Sequence, residues 1–132
     1  MNFKTGDLVF RHTVQGSSKS AIAMFSVATE DPNPIHTNEQ FARDCGFPQV
    51  IQQGPMSTAH FARLLAQTVG AKRLKVLDVS FSAPVFPEEP LTLTATVGTV
   101  AQDISIDLRA EKEDGTVTAK GFAVISSSAG GA

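Results

Sequence analysis

From residue 91 onward the chain alternates. In "LTLTATV", Leu91, Leu93, Ala95 and Val97 are separated by threonines, and in "ISIDLRAE", Ile104, Ile106, Leu108 and Ala110 take turns with polar residues. A period of two puts all the apolar side chains on one face of a strand, so each segment is expected to be buried on one side only. Glu113-Asp114-Gly115-Thr116 is a strong hairpin signal leading into "VTAKGFAVIS". Upstream, "LKVLDVSF" reads as one more strand, broken off by Pro84 and Pro87. A run of antiparallel strands with one apolar face needs an apolar partner to cover it.

The first half supplies that partner. Between Gly54-Pro55 and Gly70 lies a helix, expected from Pro55 to about Thr68. Proline suits a first helical turn because its missing N–H would have no intrahelical acceptor there. Met56, Ala59, Phe61, Leu64, Leu65 and Val69 leave little of its circumference polar, so the helix is expected to be buried. Before it, "LVFRHTV" reads as a strand, and "SSKSAIAMFSVAT" as a helix with Ala21, Phe25 and Ala28 at helical spacing and Ser17 or Ser18 as N-cap. Asn38 is placed to cap a short helix, "EQFARDC", that ends at Gly46, and "QVIQQ" is a brief extended piece. The fold class is therefore α+β: a curved antiparallel sheet wrapped around a central buried helix. One domain is expected over 1–132, with 126–132 as a frayed tail.

Composition narrows the function. A formal net charge of −2 gives nucleic acid and anionic membrane surfaces no purchase, and with no Tyr or Trp there are few base-stacking platforms. Cys45 is the one cysteine, which excludes an internal disulfide and a multi-cysteine metal site and fits a reducing, cytoplasmic home. The start lacks the apolar core of a signal peptide, and no apolar run has the length of a membrane span. His12, His36 and His60 are far apart in sequence, with no metal-ligand spacing, so no metal is expected.

"TEDPNPIH", residues 29–36, is the densest polar stretch, and two readings of it stand open. In one, Asp31 caps a turn and His36 packs at the start of the next helix; turns recruit Asp, Asn and Pro for structural reasons. In the other, the prolines and Asn33 stiffen the loop so that a carboxylate and an imidazole face one small volume. Such a pair suits general acid/base work on a water molecule.

The spacing Asp-x-Asn-Pro-x-His, with Ala42 six positions further on, resembles the signature of the MaoC-like, or hydratase 2, family of hot dog-fold proteins. Within that family the chain is most similar to the (R)-specific enoyl-CoA hydratases. The resemblance extends from about residue 5 to 126: an apolar helix precedes the motif, Gly54 opens the buried helix, and "VSFSAPVFPEEPLTLTATV" looks like the family's strand–proline–strand segment. It implies that Asp31 and His36 are the catalytic pair that activates water. It also implies that Asn33 orients the loop and touches the substrate, and that the Gly54 N–H meets the thioester oxygen. The substrate would be an acyl-CoA or acyl-carrier thioester, with no separate cofactor and no metal. A homodimer joined edge to edge is implied, with the acyl chain lodged between helix and sheet.

The sequence departs from the family pattern at several places. Gln53 stands where histidine is frequent, which leads us to expect an altered substrate contact. Pro55 removes an N–H at the helix mouth and leaves Gly54 as the donor. Glu88-Glu89-Pro90 replaces a common Gly-Asp turn, and Glu30 replaces a frequent glycine. Glu30 reads as solvated rather than as a second catalytic carboxylate, because adjacent loop residues point apart. His60 and His12 read as packed structural histidines. Lys72, Arg73 and Lys75 are either a solvated edge or a contact for coenzyme A phosphates, and Ser57 lacks the surroundings of a hydrolase nucleophile. The competing functions are an acyl-CoA thioesterase, since the fold hosts both activities, and a non-catalytic acyl-thioester-binding subunit.

Overall fold

The computed structural model describes residues 2–127. Strand β1 (Leu8–Val14) leads into helix α1 (Lys19–Ala28), a 3-10 turn at Pro34–His36, helix α2 (Glu39–Asp44), helix α3 (Gly54–Val69) and a second 3-10 turn at Ala71–Arg73; strands β2 (Leu74–Phe81), β3 (Leu91–Val100), β4 (Asp103–Glu111) and β5 (Val117–Ser126) follow. All five strands form one antiparallel sheet in the order β1-β3-β4-β5-β2. The segment between β2 and β3 therefore travels from one edge of the sheet to beside the other.

Alternation decides which face is which. Leu91, Leu93, Ala95 and Val97 on β3, with Ile104, Ile106, Leu108 and Ala110 on β4, are all buried and line the face that receives α3. Register places Ala95 against Leu108 and Ala110 against Ala119, so short side chains recur at the middle of that face. Short side chains let a helix backbone approach a sheet closely. Phe61 and Leu65 of α3 are fully buried against it, each contributing about 1.5–3 kcal/mol by removal from water. The hairpin between β4 and β5 turns at Gly115 (φ +88°), with the Thr116 N–H donated to Asp114 Oδ1 at 2.9 Å.

Two expected faces need correction. On α1 the buried positions are Ile22 and Ser26, one residue round from the Ala21/Phe25 line. The N-cap is Ser18, whose Oγ accepts the Ala21 N–H at 3.1 Å. Helix α3 is not buried all round: Ser57, Phe61, Leu64, Leu65 and Val69 face inward, while Pro55, Ala59, Arg63 and Gln67 form an exposed stripe. A five-stranded sheet covers one side of a helix, and the small Ala59 tolerates the other. "QVIQQ" joins no strand. Of the tail expected at 126–132, residues 128–132 lie outside the described residues; Ser126 closes β5, and Arg73 donates to its carbonyl at 2.8 and 3.0 Å. No helix among the described residues is long and apolar enough to cross a membrane.

Candidate active site

Helix α1 ends where the prolines of "DPNPIH" forbid more helix. The chain turns back through Glu30 in the left-handed region (φ +54°), and the Asp31 N–H is donated to the Ser26 carbonyl at 2.9 Å. Asn33 then locks the loop from both sides. Its N–H is donated to Asp31 Oδ1 (3.1 Å), and its own Oδ1 accepts the Ile35 N–H (3.1 Å), capping the 3-10 turn that carries His36. These bonds leave one carboxylate oxygen, Oδ2, aimed at the imidazole: His36 Nε2 stands 3.4 Å from Asp31 Oδ2.

The other ring nitrogen is fixed. His36 Nδ1 lies 2.8 Å from the Ile51 carbonyl oxygen. A carbonyl only accepts, so Nδ1 carries the proton and Nε2 of a neutral ring presents a lone pair. Asp31 Oδ2 is an acceptor as well. Two acceptors at 3.4 Å, longer than an ordinary N–H···O bond, repel each other unless a donor sits between them. A water molecule, with two O–H groups, fits that need.

His36 is part of the wall of a cavity of about 340 Å³ beside the start of α3, lined also by Phe47, Ile51, Gly54, Phe81 and Val85. Asp31 lines a second, more open groove with Val27 and Pro32. The imidazole thus lines the cavity, and the carboxylate 3.4 Å from it lines the groove. His36 is 11% exposed and Asp31 36%.

Gly54 is the first residue of α3, and its N–H has no acceptor among the described residues. First-turn N–H groups point outward along the helix axis and carry a partial positive charge. A Cβ built on Gly54 would meet the Phe81 ring at 2.7 Å, so the missing side chain leaves just enough room for that ring beside the helix mouth. Gln53 sets the position of this mouth. Its Nε2 donates to the Ile22 carbonyl (2.8 Å) and to Ser26 Oγ (2.7 Å). Ser26 therefore anchors Asp31 through its carbonyl and the start of α3 through its hydroxyl.

Several expectations end differently here. Gln53 is 2% exposed, and although it is one of the residues lining the cavity, its Nε2 is turned toward α1 and ties the two helices together. Asn33 orients the loop, with its N–H donated to Asp31 and its Oδ1 accepting the Ile35 N–H, and it is not among the residues that line the cavity. Arg73 belongs to no solvated edge: it is 4% exposed and donates to the Ser126 and Ser127 carbonyls, while Lys75 pairs with Asp103 at 3.0 Å. His60 is half-buried beside Arg63, which lies 3.2 Å from its Nδ1; burial, then the charges of Arg63 and His12, hold its pKa below 6.5. His12 is exposed rather than packed. Glu30 is exposed, as expected. Ser57 is buried in the cavity wall with Gln52 Nε2 at 3.5 Å. The Ile51 carbonyl, Gln52 and Phe81 escaped sequence reasoning, because a backbone acceptor and two unremarkable side chains carry no motif.

The sequence model of the family described as "MaoC like domain" matches residues 5–120 of this chain. The (R)-specific enoyl-CoA hydratase of Aeromonas caviae is 28% identical over 109 residues, covering 79% of this chain and 81% of that protein. Among solved structures, an (R)-hydratase from A. caviae involved in PHA biosynthesis superposes with a TM-score of 0.83 at 24% identity, covering 94% of this chain and 96% of that one. The unliganded R-hydratase of Pseudomonas aeruginosa gives 0.82 at 19% identity, covering 94% and 81%.

Proposed function

The chain belongs to the MaoC-like domain family and has its hot dog fold, and from that premise we propose that it is a hydro-lyase that adds water to trans-2-enoyl thioesters, or removes it from their 3-hydroxyacyl counterparts. One observation carries this reading: His36 Nε2 and Asp31 Oδ2 stand 3.4 Å apart, and His36 lines a cavity whose wall also holds an unpaired helix N–H at Gly54. The name of the Aeromonas caviae relative supports it.

The chemistry follows from the geometry. A water held by both acceptors points its lone pair away from them, toward an enoyl group in the cavity. Its oxygen bonds to C3 while one acceptor takes a proton. The C2–C3 π electrons move through C2 onto the thioester oxygen, where the Gly54 N–H stabilises the charge. When that electron pair returns, C2 takes the proton held by the Asp31/His36 pair. The sum is one water added and no net change in the protein. An (R)-configured 3-hydroxyacyl thioester is the expected product.

The outer edge of β2 is unpaired among the described residues, with Val76 43% and Phe81 49% exposed. An unpaired apolar edge invites a second strand, and a homodimer joined along β2 completes our reading.

The assay is direct. Incubated with crotonyl-CoA, the purified protein should consume the enoyl absorbance while the thioester stays intact. Release of free thiol with no 3-hydroxyacyl product would instead assign a thioesterase. An intact enoyl signal in the presence of well-folded protein would leave only the binding-subunit alternative.

A further inference from the structure

The cavity contains a buried glutamine that the reaction above does not use. Gln52 is 9% exposed and belongs to the cavity wall. Its backbone N–H is spent on the Val85 carbonyl at 2.7 Å. Its side chain makes one contact, Nε2 to Ser57 Oγ at 3.5 Å, at the outer limit of a hydrogen bond. A carboxamide carries two donor hydrogens and an oxygen with two lone pairs. Among the described residues the second N–H and the oxygen have no partner. Gln53 next door differs: its Nε2 makes two short bonds, and its Oε1 is sealed from solvent. Gln52 Oε1 is not among the sealed atoms, and Gln52 is one of the residues that line the hollow.

A purely alkyl guest would displace water from this carboxamide and return nothing, which a buried polar group penalises. Resting on the hydro-lyase reading, we propose that Gln52 and Ser57 select an acyl chain carrying a neutral hydrogen-bonding group, a hydroxyl or a carbonyl, over a plain alkyl chain. Neutrality follows from the lining. His36 is the one titratable side chain on the wall among the described residues, and no lysine or arginine there would meet an acyl carboxylate. The chain is also short: 340 Å³ lies near the low end of small-molecule sites, which run from about 300 to 1,000 Å³.

The test uses two pairs of thioesters in which a terminal methyl is exchanged for a hydroxyl: trans-2-pentenoyl-CoA against 4-hydroxy-trans-2-butenoyl-CoA, and trans-2-hexenoyl-CoA against 5-hydroxy-trans-2-pentenoyl-CoA. In at least one pair the native protein should favour the hydroxyl compound by about tenfold in kcat/KM. Gln52→Leu should abolish or invert that preference, read as the ratio of kcat/KM for the two members of each pair. Alkyl preference or indifference in both pairs, or an unchanged hydroxyl preference in Gln52→Leu, overturns the proposal. If Gln52→Leu does not fold, Ser57→Ala is read the same way. If no thioester is hydrated, the hydro-lyase reading fails by itself. The same four compounds are then compared by calorimetry: tighter binding of a hydroxyl member, lost in the variant, supports the selection, and equal or weaker binding overturns it.

Discussion

An imidazole turns about two side-chain bonds, and at His36 both are stopped by the Ile51 carbonyl, 2.8 Å from Nδ1. That contact, more than the 3.4 Å approach to Asp31, determines which nitrogen is free to accept. Single residues elsewhere make equally local predictions. Gly54→Ala adds a methyl whose nearest neighbours are atoms of the half-exposed Phe81 ring, so the ring swings and the protein folds. The crowded N–H then serves the thioester oxygen less well, and kcat/KM should fall about 100-fold with Tm nearly unchanged, as steady-state kinetics beside thermal melts would read. His60 gives a pH effect. Its burial, with Arg63 and His12 close by, lowers its pKa from 6.5, so below that pH the unfolded chain binds a proton that the folded one refuses. Stability should therefore fall as pH drops through 6.5. Melts taken from neutral to mildly acid pH should show a smaller loss for His60→Gln than for the native protein.

At the scale of elements, the loops hold the unexpected features. Glu30 (φ +54°) and Glu88 (φ +66°) are the two non-glycine residues in the left-handed region among the described residues, and both stand where the family pattern favours glycine. Two of the departures read from sequence thus fall on strained backbone. The Glu88 loop is kept in place regardless: its N–H is donated to the Ser17 carbonyl at 2.8 Å, and Gly16 lies so close that a Cβ there would come within 2.0 Å of the Glu88 carbonyl carbon. Glu88→Gly should stabilise by about 0.5–1 kcal/mol, as relief of the left-handed strain exceeds the entropy that glycine costs. Gly16→Ala should destabilise by about 1–3 kcal/mol by forcing two backbones apart. Urea titrations check both. Caps and stops were legible locally: Ser18, Asn38 and Gly70 act where their chemistry predicts. The inward face of α1 was not, because Ser26 is buried by Gln53, a partner 27 residues away.

For the molecule as a whole, alternation in β3 and β4, the hairpin signal before β5 and one apolar helix were enough to give a sheet around a helix. Strand order was beyond them, since β1 pairing with β3 and β2 with β5 depends on long connections that leave no periodic mark. The Asp31 and His36 pairing was legible as a spacing and as a family resemblance; the cavity beside it arises from segments near residues 50 and 84 that meet only in the fold. Assembly belongs to this scale too. Light scattering should give twice the chain mass, and Val76→Lys on the exposed β2 edge should shift it toward the monomer. The central claim is that Asp31 and His36 act as one unit on one water molecule. A double-mutant cycle in kcat/KM for enoyl thioester hydration tests it most directly, with Asp31→Asn, His36→Gln and the two combined. Each single variant should lose about 1,000-fold or more, and the double variant should be scarcely worse than either; losses that multiply, or a single variant that keeps native turnover, would contradict it.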